Sequence, residues 1–137
     1  MMTIRPAGAG DLDDLAALDG HIPAGALTHA VAEGRVLVAL EDGQLIGCLR
    51  WGFFWDSVPF LNLLFVAEGR RGQGVGRQLM ARWEARLRQD GHPLAMTSTA
   101  SDETAQHFYH RLGYETVGGF FYQDDPYELI LAKRLAS

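Results

Sequence analysis

Residues 70–77 form a run in which residue types suited to phosphate binding stand close together. Three glycines alternate with other residues in this run, and arginines flank them, between an apolar segment and an amphipathic one. A glycine has no Cβ, so the backbone can approach a ligand closely. If a helix begins here, its first N–H groups lack intrahelical partners and lie at the positive end of the helix dipole. The run therefore predicts a phosphate site, to which Arg71 and Arg77 add positive charge.

Two other phosphate-binding patterns do not fit this run. A P-loop ends in Gly-Lys-Ser/Thr, whereas Arg77-Gln78 stands at that position here, without the lysine or the magnesium-binding hydroxyl. A dinucleotide-binding turn has the spacing G-x-G-x-x-G and an acidic residue at the end of the next strand. This run has G-x-G-x-G, and the next predicted strand ends in Thr97-Ser98-Thr99. A plain tight turn is the remaining alternative, and it requires neither three glycines nor flanking arginines.

The elements that must position this run follow from hydrophobic patterning. Helices are predicted from residue 11, over residues 24–32, after the glycine run, and from a cap at Ser101 or Asp102. In the third of these, Glu84 and Arg88 are expected to pair on the exposed face. Strands are predicted over residues 3–6, 36–40, 45–55, 60–66, 94–99, 114–122 and 127–133, with a hairpin turn at Asp42-Gly43.

The order of these elements predicts the fold class. Strands and helices alternate irregularly, and several strands are joined by short turns, which is typical of an α/β (α+β) fold. We expect a mixed, mostly antiparallel central sheet with helices on both faces. The strand at residues 60–66 is apolar on both faces, so it is expected to be central and buried.

Composition and length predict one globular domain over residues 1–137. Hydrophobic residues make up 47% of the chain and charged residues 21%, and the net charge of -5 disfavours nucleic acid as a partner. No apolar stretch is long enough to cross a membrane. The single cysteine, Cys48, and the lack of a signal-peptide core in residues 1–10 favour a cytoplasmic location. His107 and His110 lack a third ligand nearby, so no metal is expected.

Two motifs resemble the GNAT family of N-acetyltransferases. The first is Leu64-Phe65-Val66 followed by Arg71-Gly72-Gln73-Gly74-Val75-Gly76, similar to the family's [Q/R]-x-x-G-x-[G/A] after a central strand. The second, A-x-x-F-Y-x-x-x-G-Y at residues 105–114, resembles the family's A-x-x-F-Y-x-x-x-G-[F/Y]. One helix and one strand separate the motifs, as in the family, and the resemblance covers about residues 36–131.

The resemblance implies a GNAT-like fold and a direct transfer of the acetyl group from acetyl-CoA, its co-substrate, to an amine. No covalent enzyme intermediate is implied. The coenzyme would be bound by residues of the first motif and the turn: Phe65, Val66, Arg71, Gly72, Gln73, Gly74, Val75, Gly76 and Arg77. A backbone N–H of Phe65 or Val66 would bind the thioester oxygen. Asp102 stands where the family often has asparagine, and it either contacts CoA or caps a helix.

Tyr109 matches the family tyrosine that protonates the departing sulfur, and the alternative is a core aromatic. The general base is less defined. Some family members carry a glutamate on the central strand, where this chain offers only Asn62, which cannot accept a proton at neutral pH. Asp56, Glu68 and His21 are candidates, and a base acting through water, or no protein base, is an equal alternative.

The acceptor is expected to be the primary amine of a small molecule. Aromatic residues flank two predicted turns, and Asp124 and Asp125 add carboxylates to one of them, a combination that could hold a cationic amine. Ordinary sheet core, a solvated turn, and a homodimer interface are alternatives for these aromatics. Two other functions stay open: a protein or peptide N-acetyltransferase, and a non-catalytic acyl-CoA sensing module, against which the presence of Tyr109 argues.

Overall fold

The computed structural model describes residues 1–20 and 22–135, which contain seven strands and four α-helices. In chain order they are β1 Met2–Pro6, α1 Leu12–Leu18, α2 Ala24–Ala32, β2 Val36–Glu41, β3 Gln44–Phe54, β4 Val58–Val66, α3 Val75–Gln89, β5 Leu94–Ala100, α4 Ala105–Arg111, β6 Glu115–Phe120 and β7 Glu128–Arg134. The sheet order is β1-β2-β3-β4-β5-β7-β6, in which β4 and β5 are parallel. Pairs β1–β2, β2–β3, β5–β7 and β6–β7 are antiparallel, which confirms the predicted mixed, mostly antiparallel sheet.

The chain divides into two compact units, Met1–Gly52 with Leu63–Trp83, and Phe53–Asn62 with Glu84–Ser137. The prediction of a single domain over residues 1–137 stays a prediction. In the first unit, α1 and α2 pack on one face of the sheet, where Leu15 and Leu27 join a buried cluster with Val38 and Cys48.

Helix α3 occupies the other face of the first unit, because successive residues of a strand point to opposite sides. Gly47 is next to Cys48 on β3, and a Cβ at Gly47 would lie 3.0 Å from Val75 Cγ1 and 3.3 Å from Leu79 Cδ1. The predicted helices on both faces are therefore present in this unit. The predicted hairpin is also present: Asp42 and Gly43 have φ angles of 53° and 75°, the left-handed pair that a type I′ turn requires.

Strand β4 differs from its prediction in burial. It is the fourth of seven strands and so central, but only Pro59 and Leu61 are buried, and residues 63–66 are half-buried. The strand leads into the exposed turn at Glu68 and Gly69, so its last side chains keep partial contact with solvent.

In the second unit, β5 lies between β4 and β7, with Leu61 opposite Thr97 and Leu131 opposite Thr97 on the other side. Helix α4 packs on β5. The predicted cap of this helix is wrong: α4 begins at Ala105 after Thr104, and neither Ser101 nor Asp102 is its cap. A turn closed by the Glu103 N–H and the Ala100 carbonyl, 3.1 Å apart, separates Asp102 from the helix start.

Candidate active site

The glycine-rich turn presents unpaired backbone N–H groups at the start of α3. Gly72 and Gly74 have φ angles of 78° and 84°, in the left-handed region that residues with a Cβ rarely adopt. The Gln78 N–H donates to the Gly74 carbonyl over 3.0 Å, which is the first hydrogen bond of the helix. The N–H groups of residues 74–77 precede that bond and have no acceptor within the helix. Such a helix start attracts an anion through its amides and its dipole.

Side chains of the turn hold it against the end of β4 and leave positive charge at its surface. Arg71 Nε donates to the Val66 carbonyl over 3.2 Å, and Gln73 Nε2 donates to the Gly69 carbonyl over 3.4 Å. The side chains of Arg71 and Arg77 are exposed. The predicted phosphate-binding residues of the turn therefore lie together, with Phe65 and Val66 half-buried on the strand just before them.

The position of the turn depends on close packing of α3 against β3. Val75, the first residue of the helix, is buried, and Leu79 one turn later is fully buried. Gly47 lets the helix approach this closely, because a Cβ there would crowd Val75 and Leu79. The same Cβ would also lie 3.0 Å from the Phe65 carbonyl oxygen on β4. The Ala67 N–H donates to the Ile46 carbonyl over 2.8 Å and holds the other end of the turn.

Tyr109 lies in the second unit, on α4, with 7% of its surface exposed. Its ring packs edge-on against Phe108 and Tyr114, with ring centres 5.3 Å and 5.9 Å away. Burial raises the pKa of Tyr109 to about 12; a hydrogen bond with Thr97 opposes the rise and the charge of Glu103 adds to it. The phenol therefore carries its proton at neutral pH, as an acid must.

A buried carboxylate, Glu84, supports the end of α4. Its predicted pairing with Arg88 is present, but the predicted exposed position of Glu84 is wrong. Glu84 is 5% exposed, accepts a hydrogen bond from the Tyr114 hydroxyl over 2.9 Å, and pairs with Lys133 Nζ at 2.6 Å. Arg88 is only a distant partner at 3.7 Å. The Tyr114 N–H donates to the Tyr109 carbonyl over 3.0 Å, so this network reaches the candidate acid directly.

This network was not predicted because Glu84 was assigned to the exposed face of α3. Glu84 follows Met80 by four residues and precedes Leu87 by three, so it stands within the apolar stripe of α3. A charged residue within an apolar stripe is almost never buried unless it is paired, so the position of Glu84 indicates a partner in the core. Burial and the Glu84 charge together raise the pKa of Tyr114, so its hydroxyl stays a donor.

The other predicted site residues lie at the surface or outside the described residues. Asp102 is exposed, as are Asp56, Glu68 and Asn62. His21 lies outside the described residues. The choice of base and the contact of Asp102 with CoA stay predictions.

Large aromatic side chains are exposed in the second unit, as the acceptor hypothesis requires. Trp55 is 80% exposed and Phe121 75% exposed. Tyr127 supports Phe121, with ring centres 4.8 Å apart, and it packs on Gly119, where a Cβ would lie 2.5 Å from Tyr127 Cε2. Ordinary sheet core is therefore wrong for Trp55 and Phe121, since most of each side chain is in solvent.

Two further searches cover the described part of the chain. Within residues 1–20 and 22–135, no three His, Cys, Asp or Glu side chains are grouped so that they could hold a metal ion. Among the same residues, no helix has the length and apolar character needed to span a lipid bilayer.

Comparison with known proteins identifies a family for this chain. The family model described as an acetyltransferase (GNAT) domain matches residues 32–116. Blasticidin-S acetyltransferase of Streptomyces morookaense is 38% identical over 74 residues, which are 54% of each chain. Streptothricin acetyltransferase of Streptomyces lavendulae is 36% identical over 91 residues, which are 64% of this chain and 48% of the relative. The chain thus spans about half the length of these curated relatives.

A solved structure extends the comparison to nearly the whole chain. PaiA N-acetyltransferase from Thermoplasma acidophilum, in complex with coenzyme A, aligns with a TM-score of 0.82 over 98% of this chain and 99% of its own. Sequence identity is 15%, so this likeness concerns the fold. It confirms the fold class expected from the sequence.

Proposed function

Because the chain belongs to the GNAT family of acetyltransferases, we propose that it transfers the acetyl group of acetyl-CoA to the primary amine of a small molecule. The transfer is direct, from the thioester to the nitrogen, without a covalent enzyme intermediate. Acetyl-CoA is a co-substrate, and no step requires a metal ion.

One observation carries this proposal: the glycine-rich turn at the start of α3. A diphosphate requires several donors and positive charge within a short distance, and the turn supplies the amides of residues 74–77 together with Arg71 and Arg77. Gly72 and Gly74 have left-handed φ angles that residues with a Cβ rarely adopt, and neither carries a side chain that could block those amides. The residues present therefore fit a coenzyme with a diphosphate group.

The chain's residues divide the chemistry among them. The backbone N–H of Phe65 or Val66 binds the thioester oxygen and stabilises the negative charge that develops on it. Tyr109 donates a proton to the departing sulfur, since its phenol is protonated at any pH below about 12. The base that takes the proton of the attacking amine stays open among water, His21 and the exposed carboxylates Asp56 and Glu68.

Two observations support a small cationic acceptor. Two of the matched relatives are named as acetyltransferases of blasticidin-S and streptothricin. In this chain, Asp124 and Asp125 follow the exposed rings of Phe121 and Tyr122, and aromatic faces with carboxylates attract organic cations.

The test is an acetyl-CoA turnover screen that measures release of the free thiol. Acceptors are simple amines, polyamines, amino acids and peptides with free N-termini, and a Gly74→Glu variant supplies the background. Turnover confined to small amines supports the proposal. Turnover with peptides alone would establish a peptide acetyltransferase instead, and tight CoA binding without turnover on any acceptor would establish a sensing module.

A further inference from the structure

A carboxylate, that of Glu41, lies at the start of the glycine-rich turn, where a negative charge opposes the binding of an anion. Arg70, the first residue of the run at residues 70–77, donates through Nη1 to Glu41 Oε1 in an ion pair. Arg71 instead donates to a neutral carbonyl, that of Val66, and so keeps its full positive charge. The turn thus places one arginine on a carboxylate and leaves the next one for a phosphate, a division that the proposed function does not explain.

The ion pair belongs to a set of contacts that join the turn to the hairpin of β2 and β3. Glu41 is the last residue of β2, next to the hairpin turn. On β3, the Ile46 carbonyl accepts from the Ala67 N–H over 2.8 Å, and the Ala67 carbonyl accepts from the Arg70 N–H over 2.9 Å. The hairpin therefore holds residues 67–70 at both ends.

The middle of the turn is loosely packed. A Cβ at Gly69 or Gly72 would meet no atom of the described residues within 4 Å, so packing does not fix the chain there. Beyond it, Val75 begins α3 and packs against Gly47 of the same hairpin. The conformation of the glycines is local, but the position of the N–H groups depends on two anchors: the ion pair on one side and the helix start on the other.

We propose that Glu41 is a positioning residue for the coenzyme: through Arg70 it holds the first arm of the glycine-rich turn in the shape that receives the diphosphate. A turn that is already held in its binding conformation loses less conformational entropy when the ligand binds, so its affinity is higher. The inference rests on the proposed binding of the diphosphate by this turn. The side chains of Glu41 and Arg70 are 26% and 33% exposed, so the pair is expected to add little to the stability of the fold.

The first test measures the dissociation constant for CoA by calorimetry. Glu41→Gln keeps the shape of the side chain and removes the charge that holds Arg70. We expect the dissociation constant to rise about three- to tenfold, because the arm must then be ordered when CoA binds. If Glu41 only repels the ligand, the same substitution releases Arg70 for the phosphates and binding becomes tighter. Tighter or unchanged binding would overturn the inference.

The matched control is Glu33→Gln, which removes the same charge elsewhere in the first unit. Glu33 forms an ion pair with Arg35 at 2.8 Å and lies between α2 and β2, outside the turn and the hairpin. Its dissociation constant for CoA should stay within about twofold of the parent value, and both variants should melt near the parent temperature, since such exposed pairs contribute little. An equal loss of affinity in Glu33→Gln would reveal a general charge effect and would also overturn the inference.

Exchange of the two charges tests whether Glu41 acts through Arg70. Arg70→Glu alone breaks the pair and should weaken CoA binding more than about tenfold, since it also adds a negative charge to the turn. In the double variant, Glu41→Arg with Arg70→Glu, the ion pair forms again with its charges reversed, and we expect the dissociation constant to return to within about threefold of the parent. A double variant as weak as Arg70→Glu would show that Arg70 itself binds the ligand, which contradicts the proposed role of Glu41.

Kinetics separate an effect on the diphosphate from a general loss of structure. S-acetylpantetheine carries the thioester but lacks the diphosphate. With the best amine of the turnover screen, Glu41→Gln should raise the KM for acetyl-CoA about three- to tenfold with kcat unchanged, and should leave kcat/KM for S-acetylpantetheine near the parent value. Equal losses with both donors would refute the inference. A parent protein that does not bind CoA would instead overturn the proposed diphosphate site itself.

Discussion

The turn at residues 70–77 holds backbone N–H groups that lack acceptors within the helix, whereas the candidate acid of the second unit is the phenol of Tyr109, which is 7% exposed. The turn depends on φ angles at Gly72 and Gly74 and on a helix start, all set within a few residues of chain. Tyr109 depends on partners from other elements: Thr97 on β5 and Tyr114 after α4. On the proposed function, the first region would bind through its backbone and the second would react through a side chain.

The difference predicts different mutational signatures. Substitution of a side chain cannot remove a backbone donor, so the turn is damaged most by a Cβ or a negative charge placed where the ligand lies, and the loss appears in affinity. In the second region, removal of one hydroxyl leaves binding intact, and the loss appears in rate. Each of the following experiments can break or sharpen this contrast.

The largest effect is expected at Gly74, in the turn. Gly74→Glu forces a residue with a Cβ into a φ of 84° and puts a carboxylate beside the amides that face the diphosphate. We expect the affinity for CoA, measured by calorimetry, to fall more than about a hundredfold. Gly69→Glu places the same charge on the preceding segment, where a Cβ meets open space, and should lose less than about tenfold. Equal affinities in both folded variants would remove the turn from coenzyme binding.

Tyr109→Phe tests the other side of the contrast. It removes one hydroxyl from a buried ring, and we expect kcat to fall about a hundredfold, the usual size of a general-acid contribution. The affinity for acetyl-CoA should stay within about twofold, because the interaction is made mainly in the transition state. A parent-like rate would leave Tyr109 as a core aromatic only, and a large loss of affinity would show that the two regions are not separable.

Lys133→Met tests the network beneath Tyr109. It leaves the Glu84 carboxylate 5% exposed with its closest cation gone, so we expect the free energy of unfolding in urea to fall by about 3 kcal/mol. The matched control is Arg86→Met on α3, the helix that carries Glu84. The pair between Arg86 and Asp90 is largely exposed, so its loss should lower the free energy of unfolding by less than about 1 kcal/mol. Similar losses in both variants would contradict the burial of the network.

Alkaline pH tests the burial of the phenol. The pKa of Tyr109 is raised from an ordinary 10.0 to about 12, so its contribution to stability is fully present below pH 10 and is lost as pH rises toward 12. We expect about 1.4 kcal/mol of loss per pH unit in that window from this group. Denaturant titrations of Tyr109→Phe should show a shallower loss, whereas Tyr122→Phe, at a residue 56% exposed, should follow the parent. An identical slope in Tyr109→Phe would contradict a buried, neutral phenol.

The smallest effect is expected at Gly47, against which the first turn of α3 packs. In Gly47→Ala the new methyl lies 3.0 Å from both Val75 Cγ1 and the Phe65 carbonyl, so we expect a loss of about 1 to 2 kcal/mol in stability and a few-fold loss in CoA affinity. Gly25→Ala, in α2 with open space around it, should instead be neutral or slightly stabilising. A stabilised Gly47→Ala variant with full affinity would show that α3 has room to move.

Local features were predictable because short-range chemistry decides them. The left-handed angles at Asp42 and Gly43 follow from the turn that joins adjacent strands, and helix α2 was predicted with its observed bounds, Ala24–Ala32. The family also followed from the order and spacing of two motifs. Features that depend on a distant partner were predicted wrongly or missed, as with the burial of Glu84 and its bonds to Tyr114 and Lys133.

The sequence by itself therefore determined the strand and helix types, the glycine-rich turn and the family, since each depends on residues within one or two elements. Only the tertiary structure decided what surrounds Glu84 and Tyr109. Glu84 is separated from its partners Tyr114 and Lys133 by 30 and 49 residues, and Thr97 lies 36 residues from the Leu61 carbonyl that it binds. Such contacts form only when the sheet brings distant segments together, and the low dielectric there gives a hydroxyl or a carboxylate a chemistry that its local sequence does not show.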